Sequence, residues 1–256
     1  MEFDAVILAG GRSSRLGGVP KSGLIHDGAT LLERALQAAR GATAVAVVGP
    51  DPGILPGGVL SCREEPAFAG PAAAVAAGIS ALEQHRSGDP RHPAAAPLTL
   101  VLAVDMPRAD AAVGTLLAAA AEAPPGDGLM AVSTDGRRQP LVGLYGTAAL
   151  QRCVADARQR GALENASIFA LLARLEVREV SVPRGSTDDV DTWADASALG
   201  VTGPADGHGF DSHHRDSHDR GSHDRGSHDR GSHDPGLRPG APPLNSTLEA
   251  NGEKPG

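Results

Sequence analysis

Arg15, Lys21 and Asp105 are the residues whose types and settings best suit this chain to chemistry. The first two belong to a loop, Gly10-Gly11-Arg12-Ser13-Ser14-Arg15-Leu16-Gly17-Gly18-Val19-Pro20-Lys21, that follows the apolar run Val6-Ile7-Leu8-Ala9. Glycines there let the backbone turn sharply and approach a ligand, while bare amide N–H groups and two cations can hold polyphosphate oxygens. An ordinary glycine-rich turn is the plainer alternative. Asp105 ends the apolar run Leu98–Val104. A carboxylate at the carboxyl end of a buried strand faces the ligand crevice of an open α/β sheet, and Mg2+ on nucleotide phosphates uses one or two such groups. Asp189 and Asp191, in Asp189-Val190-Asp191-Thr192, are the second acidic candidates. Carboxylates at such places also cap helices, which is the competing reading for all three acids.

Two commoner phosphate loops do not fit. A P-loop ends in Gly-Lys-Ser/Thr, whereas Lys21-Ser22 follows Pro20, which has no N–H. A dinucleotide fingerprint needs Gly-x-Gly-x-x-Gly, and no glycine follows Gly11 until Gly17.

The loop's spacing, Leu-Ala-Gly-Gly-x-Ser-x-Arg-x-Gly-Gly-x-x-Lys, closely resembles the signature of the MobA-like nucleotidyltransferases, with Leu16 and Pro20 where those enzymes usually carry Met and Asp. Asp105-Met106-Pro107 resembles their Cys-Asp-x-Pro element, with Val104 in place of Cys. Asp189–Thr192 resembles their late acidic segment, with Trp193-Ala194 replacing Pro-Glu, and that match favours Asp191 over Asp189 as the second metal ligand. Glu65 and Gly70, in Glu64-Glu65-Pro66-Ala67-Phe68-Ala69-Gly70-Pro71, stand where the family places an acid and a Gly-Pro step over the nucleoside. Asp135-Gly136-Arg137-Arg138-Gln139-Pro140-Leu141 resembles a stretch of the guanylyltransferase branch that lies on the acceptor side. Arg137, Arg138 and Gln139 are then the acceptor-binding candidates, although a hairpin with two arginines is also a common surface turn.

The resemblance covers about residues 4 to 200. It implies a Rossmann-like three-layer α/β fold, a mainly parallel sheet with helices on both faces, and transfer of GMP from GTP to a molybdopterin-type phosphorylated acceptor with Mg2+. Molybdoenzymes or other proteins of the cofactor pathway would be its partners. A related transferase using CTP or another phosphorylated acceptor is the first alternative, and a non-catalytic nucleotide- or metal-binding relative the second. Family members using CTP more often carry Ala-Ala-Gly in the first loop, so Gly10-Gly11 favours the purine branch.

Alternating elements must position these residues. Strands are expected at Ala5–Leu8, Ala44–Val48, Leu98–Val104, Leu129–Val132, Leu141–Tyr145 and Val177–Val182. Helices are expected from the capping box Thr30-Leu31-Leu32-Glu33 to about Arg40, and at Ala72–Gln84, Asp110–Ala123, Thr147–Gln159 and Ile168–Leu175, with a last short one capped by Thr192. His85–Pro97 reads as a surface insertion.

Formal net charge is −8, which gives no electrostatic case for nucleic acid or an anionic membrane, so cations for a polyphosphate must be local. No apolar run reaches the length of a bilayer span and no leader-like segment opens the chain, so a cytoplasmic enzyme is expected. Cys62 and Cys153 suit packing positions in a reducing compartment. Beyond about Val201, Ser-His-Asp-Arg-Gly repeats at 217–221, 222–226 and 227–231, a period of neither helix nor strand and with almost nothing to bury. Residues 201–256 are therefore expected to be a disordered tail beside a 1–200 domain. Its histidines 208, 213, 214, 218, 223, 228 and 233 could bind Zn or Ni weakly, but lack the fixed geometry of a structural site.

Overall fold

In the computed structural model, residues 1–50, 52–87 and 94–204 are described. The tail repeats and their histidines lie outside those residues. The central sheet contains β1 (Phe3–Leu8), β4 (Val45–Val48), β5 (Val59–Cys62), β6 (Leu98–Ala103), β7 (Gly128–Val132), β8 (Arg138–Gly146) and β9 (Val177–Ser181), in the order β5-β4-β1-β6-β8-β7-β9. Only β8 runs against the others. The expectation of a mainly parallel sheet is met. A second, small sheet joins β2 (Ile25–His26), β3 (Ala29–Thr30) and β10 (Val201–Thr202), carrying the chain just past residue 200 back to the segment that follows Lys21.

Alternation along β1 builds two cores. Phe3, Ala5 and Ile7 face α1 (Leu31–Ala38) and α3 (Ala109–Glu122), whose Leu31, Leu32, Ala112, Val113 and Leu116 are buried with them. Val6 and Leu8 face the other way, toward α2 (Pro71–Ser87), α4 (Thr147–Gln159) and α5 (Ile168–Leu172). Helices on both faces complete the three layers. With so few aromatic residues, close approach does part of the packing. A Cβ at Gly78 of α2 would run into the Val6 side chain and come within 3.1 Å of Val48 Cγ2, so this glycine lets the helix lie flat on β1 and β4.

Local signals explain the helix starts. Thr30 Oγ1 accepts from Glu33 N–H while the Glu33 carboxylate accepts from Thr30 N–H (3.1 and 2.7 Å), the expected reciprocal box. The helix after Gly70-Pro71 runs on to Ser87, into the stretch expected to be an insertion, because Asp4 reaches its end. Asp4 is fully buried at the foot of β1, 2.5 Å from Arg86 Nη2, and accepts from Ala96 N–H at 3.2 Å.

β7 and β8 hold an irregularity beside Leu141, a residue of the cleft wall. Met130 pairs with Gly143 but Ala131 pairs with Gln139, so Pro140, Leu141 and Val142 have no partner on β7. The Tyr145 hydroxyl donates to the Pro140 carbonyl (2.7 Å) and fixes this step from within the core.

Candidate active site

A cleft of about 450 Å3 opens at the carboxyl ends of β1 and β6, a volume within the usual range for a small-molecule site. Its floor starts where β1 ends. Ala9 N–H donates to the Val48 carbonyl (2.8 Å) and Val104 N–H to the Leu8 carbonyl (3.0 Å), so the three central strands finish together. Gly49, after β4, lies so close to the loop that a Cβ there would stand 2.9 Å from Ala9 C and Gly10 N. The path of the Gly10-Gly11 turn therefore depends on a glycine outside the loop.

Two leucines hold the loop itself. Leu16 and Leu24 are buried in the core on the α1 side, a full burial worth about 1.5–3 kcal/mol each. Short 3-10 turns over Ser14–Leu16 and Lys21–Gly23 close the remaining backbone, with Leu16 and Gly18 N–H both donating to the Ser13 carbonyl (2.9 and 3.0 Å). Pro20, the family's usual Asp, precedes the second turn with φ −61, the angle its ring prefers.

That anchoring delivers Lys21 into the cleft. Its Nζ lies 2.9 Å from Asp105 Oδ2 and 2.6 Å from Asp191 Oδ1, and Arg15 Nη1 lies 3.3 Å from Asp191 Oδ2. Burial pulls the Lys21 ammonium down, but the Asp105 and Asp191 carboxylates outweigh it and hold its pKa above the ordinary lysine value. Asp105 is placed by the end of β6, by buried Met106 after it, and by Arg34 of α1, which donates to the Pro107 carbonyl (2.7 Å). Its own carbonyl accepts from Val190 N–H (3.0 Å), drawing in the segment that carries the other two acids.

Carboxylate oxygens of Asp105, Asp189 and Asp191 lie within 4.8 Å of one another. All are hard oxygen donors, the set that suits Mg2+, so the residues present fit a divalent ion. Burial, then the neighbouring Asp105 and Asp191 charges, push the Asp189 carboxyl above the ordinary aspartate value, which is the repulsion a cation would relieve. Asp191 is oriented by a second capping box. Asp195 Oδ2 accepts from Thr192 N–H (2.8 Å) and Asp191 N–H (3.2 Å), while Thr192 Oγ1 accepts from Asp195 N–H (3.2 Å) at the start of α6 (Trp193–Ala198). Thr192→Ala is expected to lower stability by about 1 kcal/mol in urea denaturation. Because Asp191 loosens with the cap, Mn2+ binding should weaken in the same variant. Unchanged Mn2+ affinity would separate the cap from the site.

At the other end, on the side of β5 and α2, apolar Leu8, Phe68, Pro71 and Ala74 line the cleft together with Arg12 and one acid, Glu64. Glu64 is buried. Its Oε1 accepts from Phe68 N–H (3.0 Å), and its Oε2 has no hydrogen-bond partner among the described residues. A Cβ on Gly10 would come within 3.9 Å of that Oε1, so the loop backbone passes beside the carboxyl.

A family model, the MobA-like NTP transferase domain, matches residues 5–177. The chain belongs to the MobA-like NTP transferase family. It is accordingly a nucleotidyltransferase. Solved structures with the same fold include 2-C-methyl-D-erythritol 4-phosphate cytidylyltransferase from Thermus thermophilus, 24% identical, with TM-score 0.53 over 78% of this chain and 97% of that one. Another is molybdopterin-guanine dinucleotide biosynthesis protein A from Archaeoglobus fulgidus, 18% identical, with TM-score 0.52 over 78% and 96%. A third is the Francisella tularensis 2-C-methyl-D-erythritol 4-phosphate cytidylyltransferase, 12% identical, with TM-score 0.55 over 78% and 98%. At these identities the likeness shows the fold. No curated protein matches the chain at a significant level.

Within this family member the structure gathers most of the residues singled out in the sequence. Leu8, Gly10, Gly11, Arg15, Lys21, Gly70, Asp105 and Asp191 line the cleft. Ala9 instead points into the core on the α1 side. Glu65 is exposed and lines a separate depression along α2, so Glu64 is the acid on the cleft. Arg137 and Arg138 are exposed beyond the cleft, with Arg138 Nε 3.6 Å from Glu179 and its guanidinium 5.8 Å from the Phe169 ring centre. Gln139 is half-buried in β8, two residues from Leu141, which does line the cleft. Glu64, Arg12 and Phe68 are among the cleft residues that motif spacing did not single out. Cys62 and Cys153 are free thiols, packed at the edge of the core and half-buried rather than within it, and burial followed by the charge of Glu64 pushes the Cys62 thiol up to about 11. Among the described residues no helix is long and apolar enough to cross a membrane.

Proposed function

We propose that this nucleotidyltransferase is a molybdenum cofactor guanylyltransferase, moving GMP from GTP to the terminal phosphate of Mo-molybdopterin with release of pyrophosphate. The observation that carries the purine choice is Glu64, a buried acid on the cleft wall whose Oε2 has no hydrogen-bond partner among the described residues. A carboxylate only accepts, and guanine presents N1–H and N2–H side by side, whereas cytosine offers a single amino group on that edge.

The reaction attacks the α-phosphorus with an acceptor phosphate that is already ionised at neutral pH. No general base is required, and the protein's task is in-line positioning and charge neutralisation. Arg15 and Lys21 hold the β- and γ-phosphates. To do so Lys21 exchanges Asp105 and Asp191 for phosphate oxygens, and those two acids, with Asp189 beside them, become the holders of Mg2+. Bound there, Mg2+ supplies Lewis-acid neutralisation of the α-phosphate and the leaving pyrophosphate. The acceptor extends from the cleft past Leu141 along β8 toward Gln139, Arg138 and Arg137. Such an enzyme works in the cytoplasm beside other proteins of the cofactor pathway. Nothing beyond Thr202 takes part in this scheme, so we assign the repeats and their histidines no role in transfer.

Pyrophosphate release with GTP, ATP, CTP and UTP, with Mg2+ and molybdopterin, tests the assignment. GTP is expected to be the productive donor. Glu64→Gln, which swaps one acceptor for a donor facing guanine donors, should cost GTP binding at least about tenfold. ATP and CTP binding should change by less than about twofold. If CTP is the tightest ligand of the unaltered chain, the guanylyl reading fails while the fold and the family stand.

A further inference from the structure

Phe68 is a large aromatic residue left 41% exposed on the wall of the cleft. Its φ of 63 places a bulky side chain in the left-handed region, which costs energy and is retained where surroundings enforce it, often at ligand clamps. Here the enforcing contact is its N–H bond to Glu64 Oε1 at 3.0 Å, so the residue that turns the ring toward the cleft is the acid on the cleft wall. Two guanidiniums rest on that ring. Arg12 Cζ lies 5.7 Å from its centre and Arg63 Cζ 5.2 Å. Neither arginine makes an ion pair among the described residues, so the ring is the partner that orients both. Arg12 comes from the loop after β1 and Phe68 from the segment after β5, so the contact joins the two walls of the cleft.

We propose that Phe68, flanked by Arg12 and Arg63, is the stacking platform for the nucleobase. It is a binding element that acts on any base by its π-face, distinct from edge reading by Glu64. The inference rests on the reading that the cleft takes a nucleoside triphosphate, but not on which one. With phosphates at the Arg15–Lys21–Asp105 end, the base falls at the Leu8–Gly10–Glu64 end, beside the ring. A planar heteroaromatic group there gains apolar cover from the phenyl face and a cation–π contact from a guanidinium already held against the aromatic surface. Stacking of this kind tolerates every base because each has a π-face.

Binding by the full chain, in Mg2+, of GTP, ATP, CTP and inorganic tripolyphosphate tests it. Phe68→Ala is expected to weaken all three nucleotides by about tenfold and tripolyphosphate by less than about twofold, since the phosphate end is untouched. Phe68→Trp should bind nucleotides within about threefold of the unaltered chain, and its added indole emission should be quenched by nucleotides and not by tripolyphosphate. Phe68→Ala binding the nucleotides as well as the unaltered chain overturns the platform. An equal loss for tripolyphosphate overturns it too, because it would mean that the loop, and not the base contact, had been damaged. An order of preference headed by CTP, with the Phe68→Ala loss intact for every base, supports the platform while sinking the guanylyl reading.

Discussion

Asp105→Asn is expected to slow nucleotidyl transfer by about a hundredfold or more while the chain stays folded. The side chain keeps its volume and loses the charge that faces Lys21 and, on our reading, the divalent ion. Its placement is the least adjustable in the cleft. β6 is buried along its whole length, Met106 anchors the chain just beyond, Arg34 holds Pro107, and Val190 N–H binds the Asp105 carbonyl. Asp191→Asn should do less, because that residue sits on a short helix cap, and Asp189→Asn less again, because Lys21 forms its ion pairs with Asp105 and Asp191 and none with Asp189. Folding persists because Lys21 keeps Asp191 as a partner at 2.6 Å. The check is pyrophosphate release by each variant across a Mg2+ titration, with a thermal melt in parallel. Near-normal turnover of Asp105→Asn at ordinary Mg2+ would remove this residue from the chemistry.

The largest expected loss of stability lies at the opposite end of the same strand layer. Asp4→Ala should destabilise the fold by about 3–5 kcal/mol, because it leaves a nearly buried guanidinium without its counter-charge. Arg86 is 13% exposed and 2.5 Å from Asp4, and the Ala96 N–H would lose its acceptor as well. For a domain of this size the melting temperature should fall by about 10 °C or more. The double variant Asp4→Leu/Arg86→Met should recover much of the loss, since a matched apolar pair leaves no isolated charge. A single-variant melt within about 2 °C of the unaltered chain would mean that water reaches Arg86. The site should be affected little, since Asp4 starts β1 and the cleft lies at its other end.

What could be read along the chain was whatever depends on neighbours in sequence. Hydrophobic runs marked β1, β4 and β6. The boxes at Thr30 and Thr192 marked helix starts, and Thr147–Gln159 forms the expected helix. The glycine-rich loop and the acid closing β6 were legible because a strand end and a tight turn are local events. β5 escaped because Val59–Cys62 is short and half-buried, with no clear period. β2, β3 and β10 escaped because each is two residues long, and only the pairing of Ile25 with Thr202 and His26 with Val201 defines the outer pair. The choice between Glu64 and Glu65 was not local either. Neighbouring residues outside a regular element point in different directions, and it is the turn at Phe68, with its N–H on Glu64, that buries one acid and exposes the other. The pairing of Lys21 with Asp105 and Asp191, across 84 and 170 residues, exists only because Leu16 and Leu24 are buried against the sheet where the end of β6 delivers Asp105 and the cap of α6 delivers Asp191. Sequence determined which residues carry charge and where strands and turns begin; tertiary packing decided which of those charges meet, because contact between distant segments is set by the faces they bury and not by their spacing.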